Sequence, residues 1–341
     1  MKKRHPITAL LVVVAALVAG STCQSRRPPP QPLPPTTSLF TMPARSLCAG
    51  DNASVADVGG VADPALREVS GLAASLLNDE LLWMVADAGN APAVFGVSAT
   101  SGETRIEIVL PVPNVDFEDL ALGPCPDLSQ PCVFLADTGD NDGTRSSVVV
   151  YAFPEPSLAT APTGPPGVVT LDAVWAMPLS FPQGESVDVE ALAVFPDATA
   201  LLLLEKTTSP SARVFAYRAP WTSSVNGFDD EARVLELSGT IAVPAEGKKR
   251  ERRITGAALH WSGTRLLVRF TGGIVEYAAV DAVAFFDPAS LSPRQVLPAP
   301  PQEEQGEALT YAADGRSIFS VAEAAKGQIP VLHQSACAEE P

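Results

Sequence analysis

One pattern recurs five times along this chain and leaves few folds open to it. A polar or acidic residue heads a short apolar strand, a turn follows, and a second apolar strand ends on another polar residue. The copies are EVSGLAAS with LLWMVADAGN (68–75, 81–90), DFEDLALGP with VFLADTGDN (116–124, 133–141), DVEALAVFPD with ALLLLEKTT (188–197, 200–208), RITGAALHWSG with RLLVRFTGG (253–263, 265–273), and QGEALTYAADG with SIFSVAEAAKG (305–315, 317–327). Their heads are Ser70, Glu118, Glu190, Thr255 and Glu307, separated by 48, 72, 65 and 52 residues. Each head lies 17, 19, 15, 14 or 16 residues before the polar residue that ends its second strand. That near-constant distance marks a structural unit.

A third strand follows in every copy: AVFGVSA (93–99), SVVVYAF (147–153), ARVFAYRA (212–219), GIVEYAA (273–279) and QIPVLH (328–333). A fourth follows in four of them: TRIEIVLPV, VVTLDAVWAMPLSF, ARVLELSGTIAV and RQVLPAP. Four strands per unit, repeated radially, make a β-propeller. The expected fold is all-β, a single β-propeller of five four-stranded blades. Six blades are the alternative if the long 118–190 interval hides one more. The fifth copy lacks a fourth strand after VLHQ, and SVADVGGVA (54–62) is expected to supply it, removing a free edge. Strands apolar on both faces, such as ALLLLEK and RLLVRF, suit sheets packed between neighbours. The 33 Pro and 24 Gly among 341 residues favour short strands and many turns.

Residues 1–22 read as an export signal: MKKRH is basic, and the apolar ALLVVVAALVAG (9–20) is short for a membrane span. Residues 23–47 form a Pro-rich tether, with RRPPPQPLPPTT extended, and 48–341 hold the propeller. Of the five cysteines, Cys125 and Cys132 are expected to join across a hairpin, and Cys48 and Cys337 are placed side by side by the strand closure. Cys23 is left over, as a lipid-bearing cysteine would be. Bacterial lipoproteins are cut just before such a residue, although Gly20, Ser21 and Thr22 depart from the usual preceding pattern, and cleavage after Gly20 is the rival. The expected location is the cell envelope, either anchored through Cys23 or free in the periplasm or medium, where disulfides persist. Membrane contact is expected only through that lipid, and the propeller is expected to be monomeric.

The innermost strand of a blade starts at one rim of the central channel, and the second strand returns to it. Two rings of residues therefore converge there. One holds the five heads, preceded two residues earlier by Glu68, Asp116, Asp188, Arg253 and Gln305. The other holds Asp87, Asp137, Glu205, Arg269 and Glu323, with Asp140 and Asn141 close behind. Acids packed so closely need protons or cations. All-oxygen donors suit calcium. Transition metals prefer His and Cys, and neither His260 nor His333 falls on the rings. The expected metal ligands are Asp116, Glu118, Asp137, Asp140, Asp188, Glu190 and Glu307. Lys206, Arg253 and Arg269, with Asp87 and Glu205, are the expected ligand-binding set. DTGDND (137–142) has a calcium-loop composition without the full 12-residue pattern, and reads equally as a turn. EGKKRERR (246–253), the one basic run, leads into the fourth copy and should lie near the rim.

A net charge of −16 argues against nucleic acid, whose phosphates need a basic surface. There is no G-x-S-x-G elbow and no well-placed His base. An enzyme on this frame would use metal-activated water or a carboxylate. Two readings compete. In one, the rim binds calcium and a small or anionic ligand, with metal-assisted hydrolysis as its chemistry. In the other, the rim charges only tie blades together, and the protein is an envelope scaffold whose partner sits on loops such as 154–168 or 220–232. The partner and the substrate are unknown in either case.

These phrases, taken as a set over about 55–335, resemble a family of exported bacterial β-propeller proteins and lipoproteins. Its phrases run D-[WF]-E-D-[IL]-A, G-D-x-G-D-N, D-x-E-A-L, T-G-x-x, R-T-Y and Q-G-E-A-[IL]. Ala136 stands where Gly is usual, and RFTGG replaces R-T-Y while keeping Arg269. The resemblance implies a propeller and export and implies no particular activity. A more distant, fold-level similarity is to calcium-dependent propeller hydrolases of the lactonase and phytase-like kinds, and fold does not decide function.

Overall fold

Each of the five repeats folds as one antiparallel sheet, and the five innermost strands adjoin one another in a closed ring. The structure, a computed structural model, describes residues 53–158, 166–221, 223–225, 231–243, 248–279, 292–297, 300, 303, 305–313 and 315–337. From the axis outward, blade one is Val69–Ala74, Leu81–Ala86, Ala93–Ser98 and Thr104–Val109. Blade two is Phe117–Pro124, Pro131–Asp137, Val148–Pro154 and Trp175–Ser180. Blade three is Val189–Val194, Ala200–Glu205, Ser211–Arg218 and Glu236–Ala242. Blade four is Ile254–Leu259, Arg265–Phe270, Gly273–Ala278 and Ser292–Leu297. Blade five is Gly306–Tyr311, Ile318–Ala322 and Val331–Cys337, completed by Ala53–Gly60, which pairs antiparallel with Val331–Cys337. The chain's ends therefore close the ring as expected, with five blades and not six.

The innermost and second strands of blades one and three are buried along their whole length, except at Glu205, which ends its strand half-buried. Both faces of those sheets meet a neighbouring sheet. Five buried apolar clusters result, one at each blade interface. Between blades two and three, for instance, Phe134 and Met177 pack against Leu192, Leu201 and Phe215. Each such side chain contributes about 1.5–3 kcal/mol on burial.

Two expected fourth strands are each divided. In VVTLDAVWAMPLSF, Gly167–Thr170 pairs parallel with Thr104–Val109 on the edge of blade one, and only Trp175–Ser180 joins blade two. In ARVLELSGTIAV, Arg233–Val234 pairs parallel with the edge of blade two before Glu236–Ala242 joins blade three. The physical reason is length. A fourth strand pairs over five or six residues here, and the surplus covers the neighbouring open edge.

Cys125 and Cys132 form a disulfide across the inner hairpin of blade two. Cys23, Cys48, the signal segment and the tether lie outside the described residues, as does the side chain of Cys337, so the second disulfide and the lipid site do too.

Candidate functional site

In every blade the pairing of the first two strands slips by one residue near its start. The slips fall between Val69 and Gly71, Phe117 and Asp119, Val189 and Ala191, Ile254 and Gly256, and Gly306 and Ala308. The residue skipped each time is the head of the repeat: Ser70, Glu118, Glu190, Thr255 or Glu307. A β-bulge leaves its extra residue out of the ladder and re-aims its side chain. All five heads line one cavity of about 890 Å³ at the rim.

The heads then divide by chemistry. Ser70 Oγ donates to the Phe117 carbonyl of the next blade at 2.9 Å, and Thr255 Oγ1 to the Gly306 carbonyl at 2.9 Å. Thr138, which follows Asp137, likewise donates to the Val189 carbonyl at 2.8 Å. These hydroxyls tie blades together. The carboxylates of Glu118, Glu190 and Glu307 face the cavity instead.

Asp87, Asp116 and Glu118 bring one oxygen each within 4.8 Å of one another, and Glu118, Asp188 and Glu190 do the same. Glu118 is only 5% exposed and, among the described residues, accepts no hydrogen bond and makes no ion pair. Burial pushes its carboxyl well above the usual range, and the charges of Asp116 and Asp87 add to that while Lys206 opposes it. Burial, the charge of Asp87 and a hydrogen bond with Asp87 lift Asp116 to about 6. Burial lifts Glu307 to about 7, against a hydrogen bond from Gln305. Burial also raises Glu323, helped by Glu68 and Asp87.

Gly139 makes this convergence possible. A Cβ there would lie 2.1 Å from Glu118 Oε1 and 2.3 Å from Asp116 Oδ2. The donor set is all oxygen, one buried carboxylate lacks a partner among the described residues, and the backbone leaves a cradle beside it. These residues fit a hard divalent cation such as calcium.

The remaining expected residues are distributed differently. Asp137 is held by Arg145 at 2.9 Å and accepts the Asp116 N–H at 3.2 Å, so it supports the site without facing it. Asp140 accepts the backbone N–H groups of Thr144 at 2.8 Å and Arg145 at 3.1 Å, so DTGDND is a turn closed by its own side chain. Glu205 is off the cavity, gripped by Arg213 through Nε and Nη2, both at 2.9 Å. Arg269 is fully buried beneath the rim and pairs with Glu303 at 2.7 Å. Lys206 lies against Glu190 and 3.8 Å from Asp188. Of the three cations expected to meet an anionic group, Arg253 alone makes no ion pair among the described residues, and it is joined on the cavity wall by Arg250 of the same basic run.

Sequence reasoning missed three residues. Glu303 and His333 line the cavity, and His333 Nδ1 lies 2.8 Å from Glu303 Oε1. Asp119 sits fully buried where the blades meet, accepting the N–H groups of Leu120 and Leu192 at 2.8 Å and of Ala257 at 3.2 Å. Burial raises its pKa, and the backbone donors of blades one to four oppose that shift. A signal for it was present. The residues following the five heads are Gly71, Asp119, Ala191, Gly256 and Ala308. A Cβ on Gly71 would lie 2.7 Å from Asp119 Cα. There is space for one sizeable side chain, and four small residues leave it to Asp119.

No family model and no curated protein sequence matches the chain. Among solved structures the chain is similar to a gluconolactonase of Xanthomonas campestris, with 13% identity and a TM-score of 0.40 over 79% of this chain and 72% of that one. A likeness of that size carries no argument about activity.

Proposed function

We propose that the acidic rim binds a divalent cation, calcium by the hardness of its donors, and through it a small anionic ligand. The observation that carries this reading is Glu118: a buried carboxylate without a hydrogen bond or ion pair among the described residues, facing a cavity beside two further acids. A cation there would supply positive charge and Lewis-acid polarisation at the rim. Arg250 and Arg253, which make no ion pair among the described residues, stand on the cavity wall where an anionic group of the ligand would be met. Metal-assisted hydrolysis of such a ligand is the enzymatic form of this proposal. The protein would work outside the cytoplasm as a monomer, held to the envelope by a lipid on Cys23.

The test is a thermal melt of the purified protein in excess chelator and through a calcium titration. A saturable rise in Tm, unmatched by magnesium, is expected, because a ligand that binds only the native state stabilises it by mass action. No rise would remove the cation from the proposal. It would favour the scaffold reading, which the inter-blade hydrogen bonds of Ser70, Thr138 and Thr255 already support.

A further inference from the structure

The two acid groups of the rim share Glu118 but are not equivalent. In the half formed by Glu118, Asp188 and Glu190, an ammonium is already present. Lys206 Nζ touches Glu190, lies 3.8 Å from Asp188, and donates to Asn141 Oδ1 at 3.2 Å. Its side chain is 16% exposed, so the charge is held inside the rim. In the half formed by Asp87, Asp116 and Glu118, no base among the described residues is in ion-pair contact with any of the three. Arg145, the guanidinium that reaches this side, is committed to Asp137 at 2.9 Å and to the carbonyls of Gly139 and Asp137 at 2.9 and 3.1 Å.

We infer that Lys206 is the resident cation of one half of a two-site centre. Its ammonium fills the Glu118–Asp188–Glu190 half, and the divalent ion of the proposed function takes the Asp87–Asp116–Glu118 half. The second clause rests on that proposed function; the first does not. Three acids converging within 4.8 Å repel one another strongly unless a positive charge stands among them. The ammonium of Lys206 is part of the chain, so this half holds a positive charge without taking an ion from solution. The same ammonium excludes a second divalent ion by volume and by repulsion. Lys206 thereby limits the rim to a single exchangeable ion and leaves the other half open to solution.

The test counts ions by calorimetric calcium titration of the purified protein and of its Lys206→Met variant, which keeps most of the side-chain length and removes the charge. The variant should bind one ion more than the parent. One ion in the parent and two in the variant supports both the assignment of Lys206 and the cation reading of the rim. None in the parent and one in the variant supports Lys206 as resident cation and overturns the divalent-ion reading. One ion in each overturns the assignment of Lys206 and leaves that reading standing, and none in either overturns both. If Lys206→Met folds only with calcium present, the ion is replacing the ammonium, as inferred. If it stays unfolded with and without calcium while Lys206→Arg folds, a divalent ion cannot stand in for the ammonium, and the inference fails.

Discussion

The carboxylate of Asp119, in blade two, accepts the backbone N–H of Ala257, in blade four, across the centre of the propeller. The same oxygen accepts the N–H of Leu192 from blade three. One side chain thus fixes inner strands that are distant in sequence, two residues past the heads Glu190 and Thr255. Replacing Asp119 with Ala would leave these N–H groups and that of Leu120 buried without an acceptor. A loss of about 3 kcal/mol or more is expected, at 1–3 kcal/mol per stranded group. Urea unfolding monitored by circular dichroism measures it. A loss under about 1 kcal/mol would mean the inner strands hold their places without this tie.

Gly139 is the point at which site and stability separate. Its Cβ position is taken by Glu118 Oε1 and Asp116 Oδ2. Gly139→Ala should push the two carboxylates apart and weaken calcium binding by at least about tenfold, or about 1.4 kcal/mol. The melting temperature in chelator should change little. Unaltered calcium affinity in a folded variant would place the ion elsewhere.

The pH dependence follows from the direction of the rim shifts. Asp116 and Glu307 titrate at about 6 and about 7 in the folded protein, against 3.8 and 4.5 when unperturbed. Between those values the folded state holds more protons than the unfolded one. Their contribution to stability is therefore complete below the unperturbed values and is lost as pH rises through about 7. In chelator, the urea midpoint should fall from about pH 5 to about pH 8. Calcium should compensate at the upper end, and its affinity should weaken below about pH 6, where it must displace protons. A midpoint in chelator that rises over the same interval would contradict this account.

Arg269 is sealed beneath the cavity against Glu303, whose other carboxylate oxygen meets Ser320 Oγ and His333 Nδ1. Arg269→Met removes one charge of a buried pair. It should cost about 3–5 kcal/mol, because the remaining charge loses its counterpart. The double variant Arg269→Met with Glu303→Leu should recover part of that loss. Additive losses in the double-mutant cycle would show that the two side chains are not coupled.

Cys23 carries the prediction about location. Cys23→Ser should release the protein from the membrane fraction into the soluble envelope fraction and abolish labelling by a fatty-acid probe. Unchanged fractionation and no labelling of the parent would mean that the signal is removed elsewhere, as cleavage after Gly20 would do.

Much of this architecture was legible because repetition is a one-dimensional property. Five copies with near-constant internal distance could build only a radially repeated sheet, and a fifth copy lacking a strand called for the N-terminal one. The five heads were found as columns of an alignment and proved to be the bulged residues. What the columns could not show is where each side chain turns. Glu205 and Glu323 hold equivalent positions, yet Glu323 faces the cavity while Arg213, one strand away, draws Glu205 off it. Arg269 holds that position too and is buried, because Glu303 arrives from the segment leading into the next blade.

The sequence alone pointed to a propeller of five blades, with six as the alternative, to its closure by a strand within 54–62 and to the gathering of acids at one rim, since each follows from the spacing of apolar runs and the polar residues that bound them. Only the tertiary structure decided how those acids divide. Their state depends on distances of a few ångströms between residues tens of positions apart. At such distances Lys206 pairs with Glu190 and stands near Asp188, Arg145 pairs with Asp137, and Glu118 is left buried without a hydrogen bond or ion pair among the described residues. Coulomb interaction and desolvation change steeply over that range, and no spacing along the chain records it.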